Sequence, residues 1–279
     1  MTNGGDRNGF YVGYLPIPRA HRVFLFIALP VALLGMAVGA AGLARSVPPW
    51  GSGVWQAGEA SEFEGTLRLD PYPMLLRRDE LGVADAWLLV EMGKFGARHR
   101  FDGAPGLDGA PVAIRGRELR RDGRRMIEID PDDPALGPSV RVLAAQTPAV
   151  RMEMRPAPEP VTLAGEIVDS KCYLGAMKPG AGRGHKACAT LCISGGIPPV
   201  LVTRDAMGGV AYWLLTDKTG RGLDEADLDA LRPVIAEPVA LSGRAGRLGS
   251  WRVLMLDSLA LSRAGVPSPG HAAEPPDAP

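Results

Sequence analysis

The chain has 279 residues, with 31 Lys plus Arg against 31 Asp plus Glu, so its formal net charge is zero. That length gives room for one or two domains, and the charge balance removes any general electrostatic argument for a nucleic-acid partner. Gly (36) and Pro (26) are abundant without a period, which suits a loop-rich β protein and excludes collagen.

Residues 23–44, VFLFIALPVALLGMAVGAAGLA, contain no charge. About 20 apolar residues cross a bilayer as a helix, and a single Pro30 is tolerated in such a helix. Gly42-Leu43-Ala44 has the small residues of a signal-peptide cleavage site. Signal cores are shorter, about 7–15 residues, so an uncleaved transmembrane anchor is expected. Arg7, Arg19, His21 and Arg22 precede the span, whereas Arg45 alone follows it before Arg68. The positive-inside rule then puts residues 1–22 in the cytoplasm and everything after residue 45 outside it. Trp50 and Trp55 are expected at the outer interface, and residues 45–61 read as a Pro/Gly/Ser linker.

Beyond the linker the chain repeats itself. Residues 111–130 (PVAIRGRELRRDGRRMIEID) and 238–257 (PVALSGRAGRLGSWRVLMLD) align without a gap, with eight of twenty positions identical. Upstream, AWLLV (86–90) matches YWLLT (212–216), and FEGTLRL (63–69) resembles LAGEIVD (163–169). Two copies of one unit is the economical reading. The apolar runs of 5–7 residues bounded by Gly, Pro or Asp read as strands. The expected fold class is therefore mainly β: one N-terminal transmembrane helix followed by two tandem OB-like small β-barrels related by internal duplication. The first spans residues 62–150. A Pro-rich linker, 151–160, leads to the second, 161–262, which carries a short Cys/His-bearing helical insert at 170–198. Residues 263–279 are expected to be a disordered tail. A helix is expected over residues 224–235, where OB-like barrels often carry one. Arg115, Arg117, Arg120, Arg121, Arg124 and Arg125 cluster with no aromatic among them and read as a solvated turn.

All three cysteines lie in DSKCYLGAMKPGAGRGHKACATLCISGGIPP, residues 169–199. Copy one has DPYPMLLRRDELGVAD (70–85) in the corresponding place, without Cys or His. An element added to a scaffold that can be built without it is where function is expected. His185, Cys188 and Cys192 stand at i, i+3 and i+7, one face of a short helix closed by Gly195-Gly196. Cys172 arrives from the preceding strand, and glycines 175, 180, 182 and 184 let the loop fold back. The candidate metal ligands are thus Cys172, His185, Cys188 and Cys192.

Cys3His is a tetrahedral zinc set, and thiolate-rich sites also suit copper or iron. A disulfide from Cys172 to Cys188 or Cys192, with one thiol left over, is the alternative in an oxidising compartment. A thiol–disulfide oxidoreductase using Cys188 and Cys192 is a third reading, although C-x3-C is not the thioredoxin spacing. Lys171, Lys178, Arg183 and Lys186 are expected to surround the thiols and lower their pKa.

The pattern GEIVDSKC (165–172), HKACATLC (185–192) and GGIPPVLV (195–202), with the closing hairpin sequence, resembles a family of small exported bacterial domains. These read G-x-I-x-D-x-x-C followed by H-x-x-C-x3-C. The resemblance covers residues 160–262 and implies an exported β-rich domain, with no activity attached. The overall plan is also similar to the haem chaperone of cytochrome c maturation, but the H-x-x-x-Y motif that holds haem there is absent.

No C-x-x-C-H, G-x-S-x-G or H-E-x-x-H occurs. GAGRG (180–184) lacks the rest of a phosphate loop. Met152 and Met154 are candidate copper ligands, while His99 and His271 fall in loop or tail. The expectation is a non-enzymatic accessory or metal-handling factor in a bacterial cytoplasmic membrane, its domains in the periplasm. Its expected partners are the bilayer, through residues 23–44, and a respiratory or metal-handling complex. A purely structural partner-binding module, its cysteines closing a stapling disulfide, remains the blander reading.

Overall fold

The computed structural model describes residues 19–46, 52–78, 82–103, 106–144 and 149–257. Arg7, Trp50, His271 and the expected tail lie outside them.

Helix α1, Arg19–Ser46, contains the apolar run. Its stretch His21–Arg45 has a mean hydropathy of 2.5, long and apolar enough to cross a membrane by length and composition. Phe24, Phe26 and Leu34 are each more than 60% exposed. Such a helix is either a membrane span or a signal sequence.

The remainder forms a second unit. It begins with the short strand β1, Val54–Trp55, inside the expected linker; it pairs with Arg120 and Leu119. Five strands then close a barrel: β2 (Ser61–Arg68), β3 (Met74–Arg78), β4 (Ala84–Glu91), β5 (Pro111–Arg121) and β6 (Arg124–Ile129). The strand order is β5-β2-β3-β4-β6, with β6 returning to β5. Every pairing in this ring is antiparallel except β4 with β6. A one-turn helix, α2 (Arg98–Phe101), lies between β4 and β5, and β7 (Val140–Val142) adds to β5.

A second closed barrel follows. It is built from β8 (Arg155–Asp169), β9 (Pro199–Arg204), β10 (Val210–Thr216), β11 (Pro238–Leu248) and β12 (Trp251–Leu256). Helix α3, Lys186–Ser194, stands between β8 and β9, and helix α4, Glu225–Leu231, between β10 and β11. An Asp224/Asp227 capping box starts α4, and a 3-10 turn continues it to Val234, within the expected helical stretch.

Strand order and direction are the same in both barrels, and so is register. Gly65 pairs with Val112 as Gly165 pairs with Val239, and Leu88 with Met126 as Leu214 with Val253. The paired glycines have one cause. A Cβ on Gly65 would lie 2.5 Å from the Leu76 carbonyl oxygen, and one on Gly165 would lie 2.3 Å from that of Val202. At both positions the next backbone leaves no room for a side chain.

Two sequence readings change. The stretch 70–85 contains strand β3, so the connection between the first two strands of the first barrel is residues 69–73 alone. Pro71 and Pro73 stand just before the short run MLLRR, and proline argues against a strand beside it. The arginine cluster is not a solvated turn. Arg121 lies 3.9 Å over Tyr173, Arg124 4.7 Å over Tyr212 and Arg125 4.8 Å over Trp87. The aromatic partners come from other elements, out of reach of a local reading.

The barrels share a core. Leu88, Leu119 and Met126 of the first pack with Leu174, Leu214, Trp251 and Val253 of the second. Trp251 donates its indole N–H to the Ala86 carbonyl (3.1 Å), and the Tyr72 hydroxyl donates to that of Leu215 (2.8 Å). Beside this core two segments of the chain touch backbone to backbone: the Gly96 N–H donates to the Gly195 carbonyl at 2.9 Å. A Cβ on Gly195 would lie 1.9 Å from the Lys94 carbonyl oxygen. Gly195→Ala should therefore destabilise by about 1–3 kcal/mol, the usual cost of overpacking. That lowers the thermal midpoint by several degrees, whereas Gly58→Ala, which meets no atom within 4 Å, should leave it unchanged. Equal midpoints for the two variants would contradict the close approach.

Candidate functional site

Strand β8 ends at Asp169, whose side chain is fully buried. Its Oδ1 accepts the Cys172 backbone N–H at 2.8 Å, and its Oδ2 lies 3.0 Å from His185 Nε2. One carboxylate therefore starts the wide turn Cys172–Ala176 and orients the imidazole arriving sixteen residues later. The loop between them folds back closely: a Cβ on Gly180 would lie 2.6 Å from the Cys172 carbonyl oxygen. A 3-10 turn, Arg183–His185, leads into α3, which carries Cys188 and Cys192. Gly195 and Gly196, the latter at φ +91°, end it.

Cys172, His185 and Cys192 are buried and Cys188 is half-buried. All three cysteines are free thiols, with the Cys172 and Cys188 sulfurs 4.0 Å apart. The ligand atoms of Cys172, His185 and Cys188 lie within 4.8 Å of one another, and so do those of Asp169, Cys172 and Cys192. A Cys/His group within metal-binding distance is thus present. Three of the four residues singled out in the sequence form one triad, and the fourth, Cys192, joins Asp169 in a second triad that shares Cys172.

The cation at these sulfurs is not one of those expected. Lys171 turns into the first barrel, where its buried Nζ donates to the carbonyls of Glu91 and Gly93 (2.8 Å each) and lies 3.5 Å from Glu128. Arg183 and Lys186 both pair with Glu237, and Lys178 is exposed. Carboxylates and carbonyls outcompete thiols for these groups. Instead Lys94, from the loop after β4 in the first barrel, donates to Cys188 Sγ at 2.9 Å and stands 3.7 Å from Cys192 Sγ.

Electrostatics follow the contacts. The Cys172 thiol is pushed well up by its hydrogen bond to Cys192, by burial and by Asp169. Cys192 is lowered to about 7, first by that same bond and then by Lys94, against burial and Asp169. Lys94 is raised, mainly by its bond to Cys188.

Lys94 and Asp169 are the residues that sequence reasoning missed. Asp169 had a signal, since it opens the D-x-x-C run. Lys94 had none, being 94 residues from Cys188 in a plain Met-Gly-Lys-Phe-Gly turn. Met152 and Met154 pack on the shared core instead of forming a ligand pair, and His99 is an exposed residue of α2. No family model, curated protein or solved structure matches the chain.

Folding lowers the pKa of Cys192. Its ionised form therefore stabilises the fold above the ordinary thiol value of 9.0, and that contribution is lost as pH falls through about 7. In reduced, metal-free protein the thiolate ultraviolet absorbance should show one thiol titrating near pH 7, absent in Cys192→Ser and shifted upward in Lys94→Gln. Three thiols all ionising in the ordinary range would contradict this geometry.

Proposed function

We propose that the protein is anchored by α1 in a bacterial cytoplasmic membrane and holds two OB-type barrels, products of an internal duplication, on the periplasmic side. Its second barrel binds a thiophilic metal ion, zinc by donor set, through Cys172, His185, Cys188 and Cys192. The role is that of a non-enzymatic accessory to a metal-handling or respiratory complex.

The observation that carries this reading is the pair of donor triads joined at Cys172. Two thiolates about 2.3 Å from zinc at a tetrahedral angle stand about 3.8 Å apart, close to the 4.0 Å between Cys172 and Cys188. With His185 Nε2 committed to Asp169, Nδ1 is left to face the metal, the carboxylate–histidine–metal arrangement that fixes ring orientation. The common strand order and register support the duplication, and a five-strand ring closed by a parallel pair is the OB order. The flanking arginines support the orientation.

A second reading, a thiol–disulfide oxidoreductase, draws on the lowered pKa of Cys192 beside the Cys172 thiol. Elemental analysis with a thiol count on one sample separates the two. The metal reading expects about one zinc per chain, lost or bound at least tenfold more weakly in Cys172→Ser and in His185→Ala, with the far-ultraviolet circular dichroism unchanged. A metal-free protein with two thiols missing from the count overturns it. For orientation, a reporter fused after the last residue should be active only outside the cytoplasm, and cytoplasmic activity would refute the anchor assignment.

A further inference from the structure

A metal site needs no lysine, yet Lys94 is fixed at the sulfurs with care. On one side the Gly93 carbonyl accepts from Lys171. On the other, the Lys94 carbonyl lies where a Cβ on Gly195 would clash, and the Gly96 N–H is bonded to Gly195. The ammonium is thus held 2.9 Å from Cys188 Sγ by backbone on both flanks. Both side chains are half-buried, open to a small oxidant from solvent.

We infer that Lys94 and Cys188 form a site of covalent modification, an S–O–N bridge made with dioxygen that ties the first barrel to the second. The ammonium–thiolate pair carries the same protons as an amine and a thiol. In the net step the O–O bond, one N–H bond of the amine and the S–H bond of the thiol break, while an S–O bond, an O–N bond and the two O–H bonds of water form. One oxygen atom stays in the bridge, and the other leaves as water with the two hydrogens. Sulfur and nitrogen together lose four electrons and dioxygen gains four, so no further reductant or oxidant is required.

Geometry favours this bond over a Cys172–Cys188 disulfide. To pair, Cys172 and Cys188 must close from 4.0 Å to about 2.05 Å. Cys172 is held back by Asp169 and by the tight packing of Gly180 on its carbonyl. One oxygen atom between Lys94 and Cys188 asks for far less movement. Lys94 Nζ stands 2.9 Å from the Cys188 sulfur, nearer than the Cys172 sulfur at 4.0 Å. The inference does not rest on the metal reading, because the bridge concerns metal-free protein.

The test uses the full chain, reduced with chelator present, freed of both and then equilibrated with air. Peptide mapping by mass spectrometry should find the peptide containing Lys94 joined to that containing Cys188, heavier by one oxygen and lighter by two hydrogens. Dithiothreitol should restore both peptides and the Cys188 thiol. Cys172→Ser should keep the cross-link, and Lys94→Gln should lose it. Recovery of Cys188 as a thiol, as a sulfinic acid or in a disulfide overturns the inference, a result the wild-type map gives even if a variant fails to fold. Zinc added before air should suppress the cross-link. Equal yield with zinc counts against the metal reading and leaves the bridge standing.

Discussion

A buried ammonium holds the arrangement together. Lys171 stands two residues past the second barrel's first strand, and its side chain ends inside the first barrel, among two carbonyls and the Glu128 carboxylate. Taking such a charge from water costs several kcal/mol, and partners must be fixed in place to offset it. Here they are the end of β4 and the loop that follows, so satisfying Lys171 also places Lys94. Cys172 is the very next residue after Lys171. The position of one thiol and of the cation facing the other two therefore derives from a single charge.

The two barrels divide the work unequally. Both have the same ring of strands, and both admit a connection between the first strand and the second. In the first barrel that connection is residues 69–73, and in the second it is residues 170–198 with α3 and every cysteine. The longer connection does not stand free. Its Leu174 and Tyr173 enter the shared core, and Arg121 of the first barrel covers Tyr173 and bonds its carbonyl. The thiol cluster is thus composite, with sulfurs from one barrel and a cation from the other.

What the sequence revealed was what lies close in the chain or repeats along it. AWLLV and YWLLT occupy equivalent strands, Gly65 and Gly165 hold equivalent register positions, and the C-x3-C pair lies on a helix that His185 immediately precedes. Periodicity and spacing are local, and here local order sufficed. Strand β3 carries a weak signal, being short and preceded by Pro71 and Pro73. Lys94 and the aromatic partners of Arg121 and Arg124 were missed because nothing near them in sequence names the distant group they meet. Lys171 misled for the opposite reason: adjacency to Cys172 suggested a shared environment, whereas a buried carboxylate and two carbonyls of the other barrel drew it away.

The backbone contact between Gly96 and Gly195 bears on how such a protein can diverge. Side chains across a junction are usually replaced in compensating pairs, each change in one surface answered in the other. A junction made of main-chain atoms offers no such partner, since a peptide group has the same shape whatever residue bears it. Neither glycine can take a side chain without moving the opposite backbone. The separation of the barrels at this point is set by the thickness of a peptide, and the reach of Lys94 to Cys188 keeps that setting while the surrounding surface changes.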